Sequence, residues 1–116
     1  MNIAILILAL ISVESGGNVN AVGDNGKAIG ILQIHACVIA DINRVYKTDY
    51  RWPEDARDPA KSRKICELYI AHWGKVRFGS EGPTYEQAAR IWNGGPNGYR
   101  RTATIPYWKK VSKHLP

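Results

Sequence analysis

The chain opens on an apolar run that ends abruptly in a carboxylate. Residues 3–13 are aliphatic except for Ser12, and Glu14 follows them directly. A helix that is apolar nearly all round is typical of a central helix enclosed by others. The pattern therefore predicts a fully buried first helix, from about Asn2 to Ser15, with Glu14 at its end.

A polar, glycine-rich segment follows, from Gly16 to Gly30. Its 5 glycines, together with several Asn and Asp residues, disfavour a regular helix. Asp24, Asn25 and Gly26 are residue types that favour tight turns. The segment is therefore predicted to form a short irregular hairpin.

The three- and four-residue spacing of apolar positions predicts a second helix, from about Leu32 to Tyr46. One buried stripe would run along it, formed by Ile31, Ile34, Val38, Ile42 and Val45. Residues 47–57 are predicted to form a loop, with Trp52 and Pro53 as its anchor.

The third helix has a clear start signal, because Asp58 is a favourable N-cap and Pro59 suits the first helical position. Its predicted buried face carries Ile65, Leu68, Tyr69, His72, Trp73 and Val76. We interpret His72 as a histidine packed at the edge of the core rather than as a ligand, because it belongs to this stripe.

Thr84 and Gln87 form a capping box that opens a fourth helix, from Tyr85 to about Trp92. A glycine-rich turn at 93–98 ends it, and a last helix is predicted from about Ile105 to His114. With 116 residues, the chain has the size of one domain. We expect a mainly α fold, with about five helices around a central buried helix and a small irregular loop or hairpin lobe.

The net charge of +6 is concentrated in the second part of the chain. Residues 51–116 hold 13 basic and 6 acidic residues, and the last twenty residues contain no acid. The basic C-terminal face is formed by Arg100, Arg101, Lys109, Lys110 and Lys113. Such a face attracts polyanions. Since no nucleic-acid-binding signature accompanies it, we expect no specific nucleic acid partner.

Cys37 and Cys66 are too few for a disulfide framework. One disulfide and two thiols are both possible, and we favour thiols. The absence of a CxxC pair and the scattered histidines give no zinc pattern, so we expect no metal and no cofactor. Residues 3–11 are similar to the apolar part of a signal peptide, but no basic residue precedes them and they are too short to span a bilayer. We therefore expect no membrane span and no clear export signal.

Glu14 is the first candidate for chemistry. An acid that ends an apolar helix and faces a polar loop has the surroundings that raise a carboxyl pKa. The alternative is that Glu14 is simply the first solvated residue after a core helix. Three further polar residues lie at predicted helix or turn edges, namely Asp24, Gln33 and Asn93, and each alone could serve as a turn or cap residue.

Taken together, these segments resemble the motifs of the lytic transglycosylase and lysozyme-like superfamily. Glu14 and Ser15, followed by a glycine-rich loop and Ala28–Ile34, resemble its first two motifs. The segment Ala89–Pro96 resembles the third, and Thr104–Trp108 resembles the last, with its single Tyr.

The closer similarity is to the invertebrate-type (destabilase-like) lysozymes, and it covers residues 4–112. Two features depart from that pattern. Those enzymes are dense in disulfides, whereas this chain has 2 cysteines, and Trp92 stands where they often carry His. The departures suggest a phage or microbial relative rather than a secreted animal enzyme.

The resemblance implies a muramidase that cleaves the β-1,4 bond between N-acetylmuramic acid and N-acetylglucosamine. Glu14 would be the general acid and Asp24 the second carboxylate. The implied substrate-binding residues are Ser15, Gln33, Asn93, Tyr99 and Tyr107. Of these, Ser15 would mainly hold the end of the first helix and the geometry of Glu14, and Tyr107 would bond Glu14 or a sugar. Tyr99 and Trp92 are the candidates for stacking on a sugar face.

Two alternatives stay open. A lytic transglycosylase would use Glu14 alone, and a non-catalytic module would only bind the wall or another polyanion. Retention or inversion at the sugar carbon is also undecided. We expect a monomer that acts on the bacterial cell wall, outside the cytoplasm or in the periplasm. Its partners would be peptidoglycan glycan strands, with the anionic wall held by the basic C-terminal face.

Overall fold

Six α-helices and one small antiparallel hairpin make up the fold of residues 1–116, all of which the computed structural model describes. The elements are α1 Ile3–Glu14, β1 Val22–Gly23, β2 Ala28–Ile29, α2 Ala36–Tyr46, α3 Glu54–Arg57, α4 Pro59–Phe78, α5 Tyr85–Gly94 and α6 Ile105–Ser112. The predicted fold, mainly α with a small hairpin lobe, is confirmed.

Helix α1 has the predicted position, since Asn2 caps its start and Ser15 follows its last residue. The prediction that it is fully buried is wrong. Leu6 and Leu10 are completely buried, but Leu8 is 62% exposed. Helices α4, α5 and α6 pack against α1 and leave one stripe of its surface, including Leu8, open to solvent.

The hairpin pairs Val22 with Ile29 and Gly23 with Ala28. Its turn is formed by Asp24–Gly26, all three of which have a positive φ. Asp and Asn tolerate this left-handed conformation better than most residues with a side chain. The predicted hairpin is therefore confirmed.

Helix α2 begins at Ala36, so the predicted start near Leu32 is wrong. Gln33 has a φ of +52°, which no α-helix accommodates. Ile34 instead exchanges backbone hydrogen bonds with Ile29, and this pairing extends the hairpin. Ile34 is thus a buried residue of the turn that precedes α2. On α2 itself, only Ile39 and Ile42 are fully buried.

The predicted loop at 47–57 contains the short helix α3, which the sequence interpretation missed. Its first turn carries Glu54 and Asp55, as a helix N-terminus favours. Trp52 is confirmed as an anchor, because its indole N–H donates a 2.9 Å hydrogen bond to the Ile34 carbonyl.

Helix α4 starts as predicted, with the Asp58 carboxylate accepting a hydrogen bond from the Lys61 N–H. The predicted buried face is partly wrong, since Val76 is 51% exposed. The buried positions are Ser62, Ile65, Cys66, Tyr69, Ile70 and Gly74. This set is broader than one stripe because α2, α3 and α5 contact α4 along its length. His72 packs against Trp73 and Tyr46, which confirms its structural interpretation.

The capping box at the start of α5 is confirmed by reciprocal hydrogen bonds between Thr84 and Gln87. The helix continues to Gly94, two residues beyond the prediction. Helix α6 starts at Ile105 as predicted and ends at Ser112 rather than at His114.

Both cysteines are free, with Cys37 exposed and Cys66 buried, so the prediction of thiols is confirmed. None of the helices combines the length and the apolar composition that crossing a membrane requires.

Candidate functional site

A cleft of about 410 Å³ is lined by residues from the end of α1, the hairpin and the segment that follows it, the start of α2, the middle of α4 and the end of α5. Four of the seven predicted site residues line it, namely Glu14, Asp24, Gln33 and Asn93. They come from four separate segments of the chain. The fold therefore brings together side chains that are up to 79 positions apart in the sequence, from Glu14 to Asn93.

Glu14 is the last residue of α1 and is largely buried at the cleft. Burial raises the pKa of its carboxyl from 4.5 to about 7. The side chains of Tyr107 and Trp92 oppose this rise by favouring the ionised form, and the negative charge of Asp24 adds to it. Near neutral pH, a substantial part of the protein thus carries Glu14 as a neutral acid.

Tyr107 lies on α6 and donates a hydrogen bond of 2.8 Å from its hydroxyl to Oε2 of Glu14. Burial and the nearby Glu14 carboxylate raise the pKa of the Tyr107 hydroxyl, so this group stays protonated and remains a donor. Tyr107 does not line the cleft. Of its two predicted contacts, the structure contains the one to Glu14.

Asp24 lies on the hairpin turn with its side chain 68% exposed. Its Oδ2 is 2.8 Å from Nε2 of His35, the residue that precedes α2. The two carboxyl groups in the cleft therefore have different surroundings. Glu14 is desolvated and hydrogen-bonded to the Tyr107 hydroxyl, whereas Asp24 is solvated and hydrogen-bonded to the His35 imidazole.

Gln33 and Asn93 present amide groups to the cleft. The Gln33 side chain is fixed, because its Nε2 donates a 3.0 Å hydrogen bond to the Gly30 carbonyl. Gly23 makes room for it, since a Cβ at that position would collide with Oε1 of Gln33. Asn93 is exposed and its amide makes no hydrogen bond within the protein.

The structure does not bring Ser15 and Tyr99 to the cleft lining. The Ser15 hydroxyl donates to the Ile31 carbonyl at 2.7 Å and accepts from the Gly17 N–H at 3.1 Å, which ties the end of α1 to the segment after the hairpin. Tyr99 packs edge-to-face on Phe78, with 5.0 Å between the ring centroids.

Sequence reasoning missed His35 as a cleft residue. Its local signal is its position two residues after Gln33, but its contact with Asp24, across 11 positions of chain, is set by the fold. Trp92 also lines the cleft, and its ring packs edge-to-face on Tyr69 at 5.7 Å. No group of three or more His, Cys, Asp or Glu side chains is arranged to hold a metal ion.

Two comparisons relate this chain to known proteins. The model of the protein family described as "Transglycosylase SLT domain" matches residues 3–115. Among solved structures, the chain is similar to a chain in the crystal structure of Aeromonas hydrophila PliI in complex with Meretrix lusoria lysozyme, with a TM-score of 0.77 and 27% sequence identity. That match covers 94% of this chain and 87% of the other.

Proposed function

The chain belongs to the transglycosylase SLT domain family, within the lysozyme-like superfamily, and from this premise we propose that it hydrolyses peptidoglycan glycan strands with Glu14 as the general acid. Membership of the family supports a peptidoglycan-cleaving activity on the cell wall, of the transglycosylase or lysozyme kind. We further propose that the chain is a single catalytic domain. The reaction type, the bond cleaved and the roles of individual residues also belong to this proposal.

The observation that carries the proposal is the burial of Glu14 at the end of α1 and at the edge of the cleft, which raises its pKa to about 7. Cleavage of a glycosidic bond requires an acid that is still protonated at the working pH, because the leaving sugar oxygen must receive a proton. An ordinary exposed glutamate would already be ionised. The apolar helix α1 and the burial of its last residue thus supply the property that the reaction needs.

The proposed bond is the β-1,4 linkage between N-acetylmuramic acid and N-acetylglucosamine. As the bond between C1 of the muramic acid and O4 of the glucosamine breaks, the Glu14 proton moves to O4. A water oxygen ends on C1, and the proton that the water loses returns to the enzyme carboxylates. The net reaction consumes one water and leaves a reducing end.

Hydrolysis also needs a second, ionised carboxylate, about 5 Å from the acid for retention or roughly 6.5–9.5 Å for inversion. Asp24 is the other carboxylate in the cleft, and its charge contributes to the raised pKa of Glu14. Its side chain is largely exposed to solvent within the cleft. These observations support Asp24 as the partner of Glu14.

A lytic transglycosylase is the second candidate, and membership of a family described as a transglycosylase domain favours it. In that reaction the C6 hydroxyl of the muramic acid attacks C1, its proton returns to Glu14, and no water is consumed. The product is an anhydro sugar. Only Glu14 is then required, and Asp24 would be an exposed turn residue.

The remaining cleft residues fit a glycan. The free amide of Asn93 and the fixed amide of Gln33 suit the N-acetyl groups and hydroxyls of the sugars. The basic C-terminal face is exposed at Arg100, Arg101, Lys109, Lys110 and Lys113 and suits the anionic wall.

The test of the acid is Glu14→Gln on purified peptidoglycan, with Glu81→Gln as a control at an exposed glutamate that forms no ion pair. Loss of general acid catalysis should lower turnover by about 10²- to 10⁴-fold, while the control keeps full activity. Full activity of Glu14→Gln would refute the proposal. A wild type that binds the wall without cleaving it would favour the non-catalytic module.

The test of hydrolysis is mass spectrometry of the released fragments. Reducing ends support the hydrolase, and exclusively anhydro ends refute it. Asp24→Asn should lower the activity strongly if the protein is a hydrolase and little if it is a transglycosylase. Asp49→Asn is the control and should leave the activity unchanged in both cases, because Asp49 is exposed and its side chain makes no hydrogen bond.

A further inference from the structure

We propose that His35 is a positioning residue, which holds the Asp24 carboxylate in its working orientation in the cleft that Glu14 also lines. The inference rests on the proposed hydrolysis, because only that reaction uses Asp24. Its basis is the 2.8 Å contact between Nε2 of His35 and Oδ2 of Asp24, two residues that both line the cleft.

The direction of this hydrogen bond follows from the chemistry of the two groups. An ionised carboxylate can only accept hydrogen bonds, so Nε2 of His35 must carry a hydrogen and donate the hydrogen bond. Oδ1 of Asp24 makes no hydrogen bond within the protein, so it is available to a water molecule or to the sugar. The imidazole thus occupies one carboxylate oxygen and leaves the other for the reaction.

Asp24 needs such a partner because nothing else holds its side chain. It lies on a turn with a positive φ, and 68% of its side chain is exposed. An exposed side chain samples several rotamers, whereas a reacting carboxylate must stay close to one geometry. The hydrogen bond to His35 selects one of them.

His35 is suited to this role because its own backbone is fixed on both sides. The preceding residue, Ile34, is fully buried and pairs with Ile29. Its carbonyl also accepts a hydrogen bond from the indole N–H of Trp52. On the other side, the His35 carbonyl accepts the Val38 N–H in the first turn of α2. The imidazole therefore connects a rigid helix start to the exposed hairpin turn.

A largely exposed polar contact contributes little to stability in general, so an effect of His35 on folding should be small. The effect should lie in the position of Asp24 instead. Misplacement of a reacting group by about 1 Å can cost on the order of 100-fold in rate. This difference separates a positioning role from a merely structural one.

The experiment is a double-mutant cycle of His35→Ala and Asp24→Asn on soluble peptidoglycan fragments, measured as kcat and KM. We expect His35→Ala to lower kcat by about 10- to 100-fold, with KM and the unfolding midpoint nearly unchanged. In the Asp24→Asn background, His35→Ala should have no further effect, because its only route of action is gone. His35→Gln retains an N–H donor and should restore most of the rate.

His114→Ala is the matched control, since His114 is exposed and its side chain has no hydrogen-bond partner. Unchanged kcat in His35→Ala overturns the inference, and so does an equal loss in both backgrounds, which would mean that His35 acts on the substrate itself. If Asp24→Asn alone is harmless, the hydrolase proposal fails and the inference falls with it. Full activity of Glu14→Gln would instead refute the assignment of the acid.

Discussion

The hydroxyl of Tyr107 donates a 2.8 Å hydrogen bond to Oε2 of Glu14, from a residue 93 positions further along the chain. The contact joins the last helix to the end of the first. It also opposes the effect of burial, because a hydrogen bond to the ionised carboxylate favours ionisation. The pKa of about 7 is therefore a balance between desolvation and this donor.

Removal of that donor should shift the pH dependence of activity. In Tyr107→Phe, Glu14 loses a group that lowers its pKa, so its pKa should rise further. Since the proposed mechanism uses the acid form of Glu14, the alkaline limb of the activity profile should move to higher pH. Tyr99→Phe is the control, because the Tyr99 hydroxyl makes no hydrogen bond and its ring packs on Phe78. An alkaline limb that stays in place would contradict this role of Tyr107.

Glu14 should also make the stability of the protein depend on pH. Its pKa is about 7 in the folded state against 4.5 as the ordinary value, so the folded state holds its proton longer. The contribution of Glu14 to the free energy of unfolding should be largest below about pH 4.5 and fall by on the order of 3 kcal/mol as the pH rises through 7.

Glu14→Gln should remove this decline, because glutamine does not ionise. Chemical denaturation at a series of pH values checks the expectation. Wild type and Glu14→Gln should agree most closely in acid and diverge towards pH 8, with the variant the more stable. Parallel curves across this range would show that Glu14 is not desolvated.

Gly30 lies where the hairpin meets α3, and substitution there should be costly. It has a φ of +81°, and an added Cβ would collide with the backbone carbonyl of Ala56. Gly26 has a similar φ of +90° but open space around it. Gly26→Ala should cost about 1 kcal/mol from backbone strain alone, and Gly30→Ala about 2 kcal/mol more from the collision. If urea denaturation showed equal losses of unfolding free energy for the two variants, the α3 backbone would have to move aside at little cost.

The basic C-terminal face should control binding to the wall through charge. Replacing Lys109 and Lys110 by Gln should weaken co-sedimentation with purified walls and flatten its dependence on salt. Lys27→Gln with Lys47→Gln is the control, since both lysines are exposed in the first half of the chain. Turnover of small soluble fragments should change little in either variant. If both variants weaken binding equally, net charge rather than this face is responsible.

The sequence predicted best those features that depend on neighbouring residues. The starts of α4 and α5 follow from side chains that cap their own helix, Asp58 for α4 and Thr84 for α5. The start of α2 was wrong because the apolar spacing around Ile34 fits a helix as well as a buried turn. What decides between them is the pairing of Ile34 with Ile29, a contact that spacing does not encode.

The same limit applies to the cleft. Glu14, Asp24, Gln33 and Asn93 were found through motifs, and the fold places them together. His35 was missed because its importance lies in its distance from Asp24 across 11 positions of chain. The exposed side of α1, marked by Leu8, shows a related difficulty, since an apolar composition does not reveal which side other helices cover.

The two thiols differ in a way that has a practical consequence. Cys66 is completely buried, and burial raises the pKa of its thiol well above the ordinary value, so it should resist alkylation. Cys37 is exposed and lines the cleft. A maleimide dye added to the native protein should therefore attach at one position only. Its emission would report directly when a glycan strand enters or leaves, without any engineered cysteine.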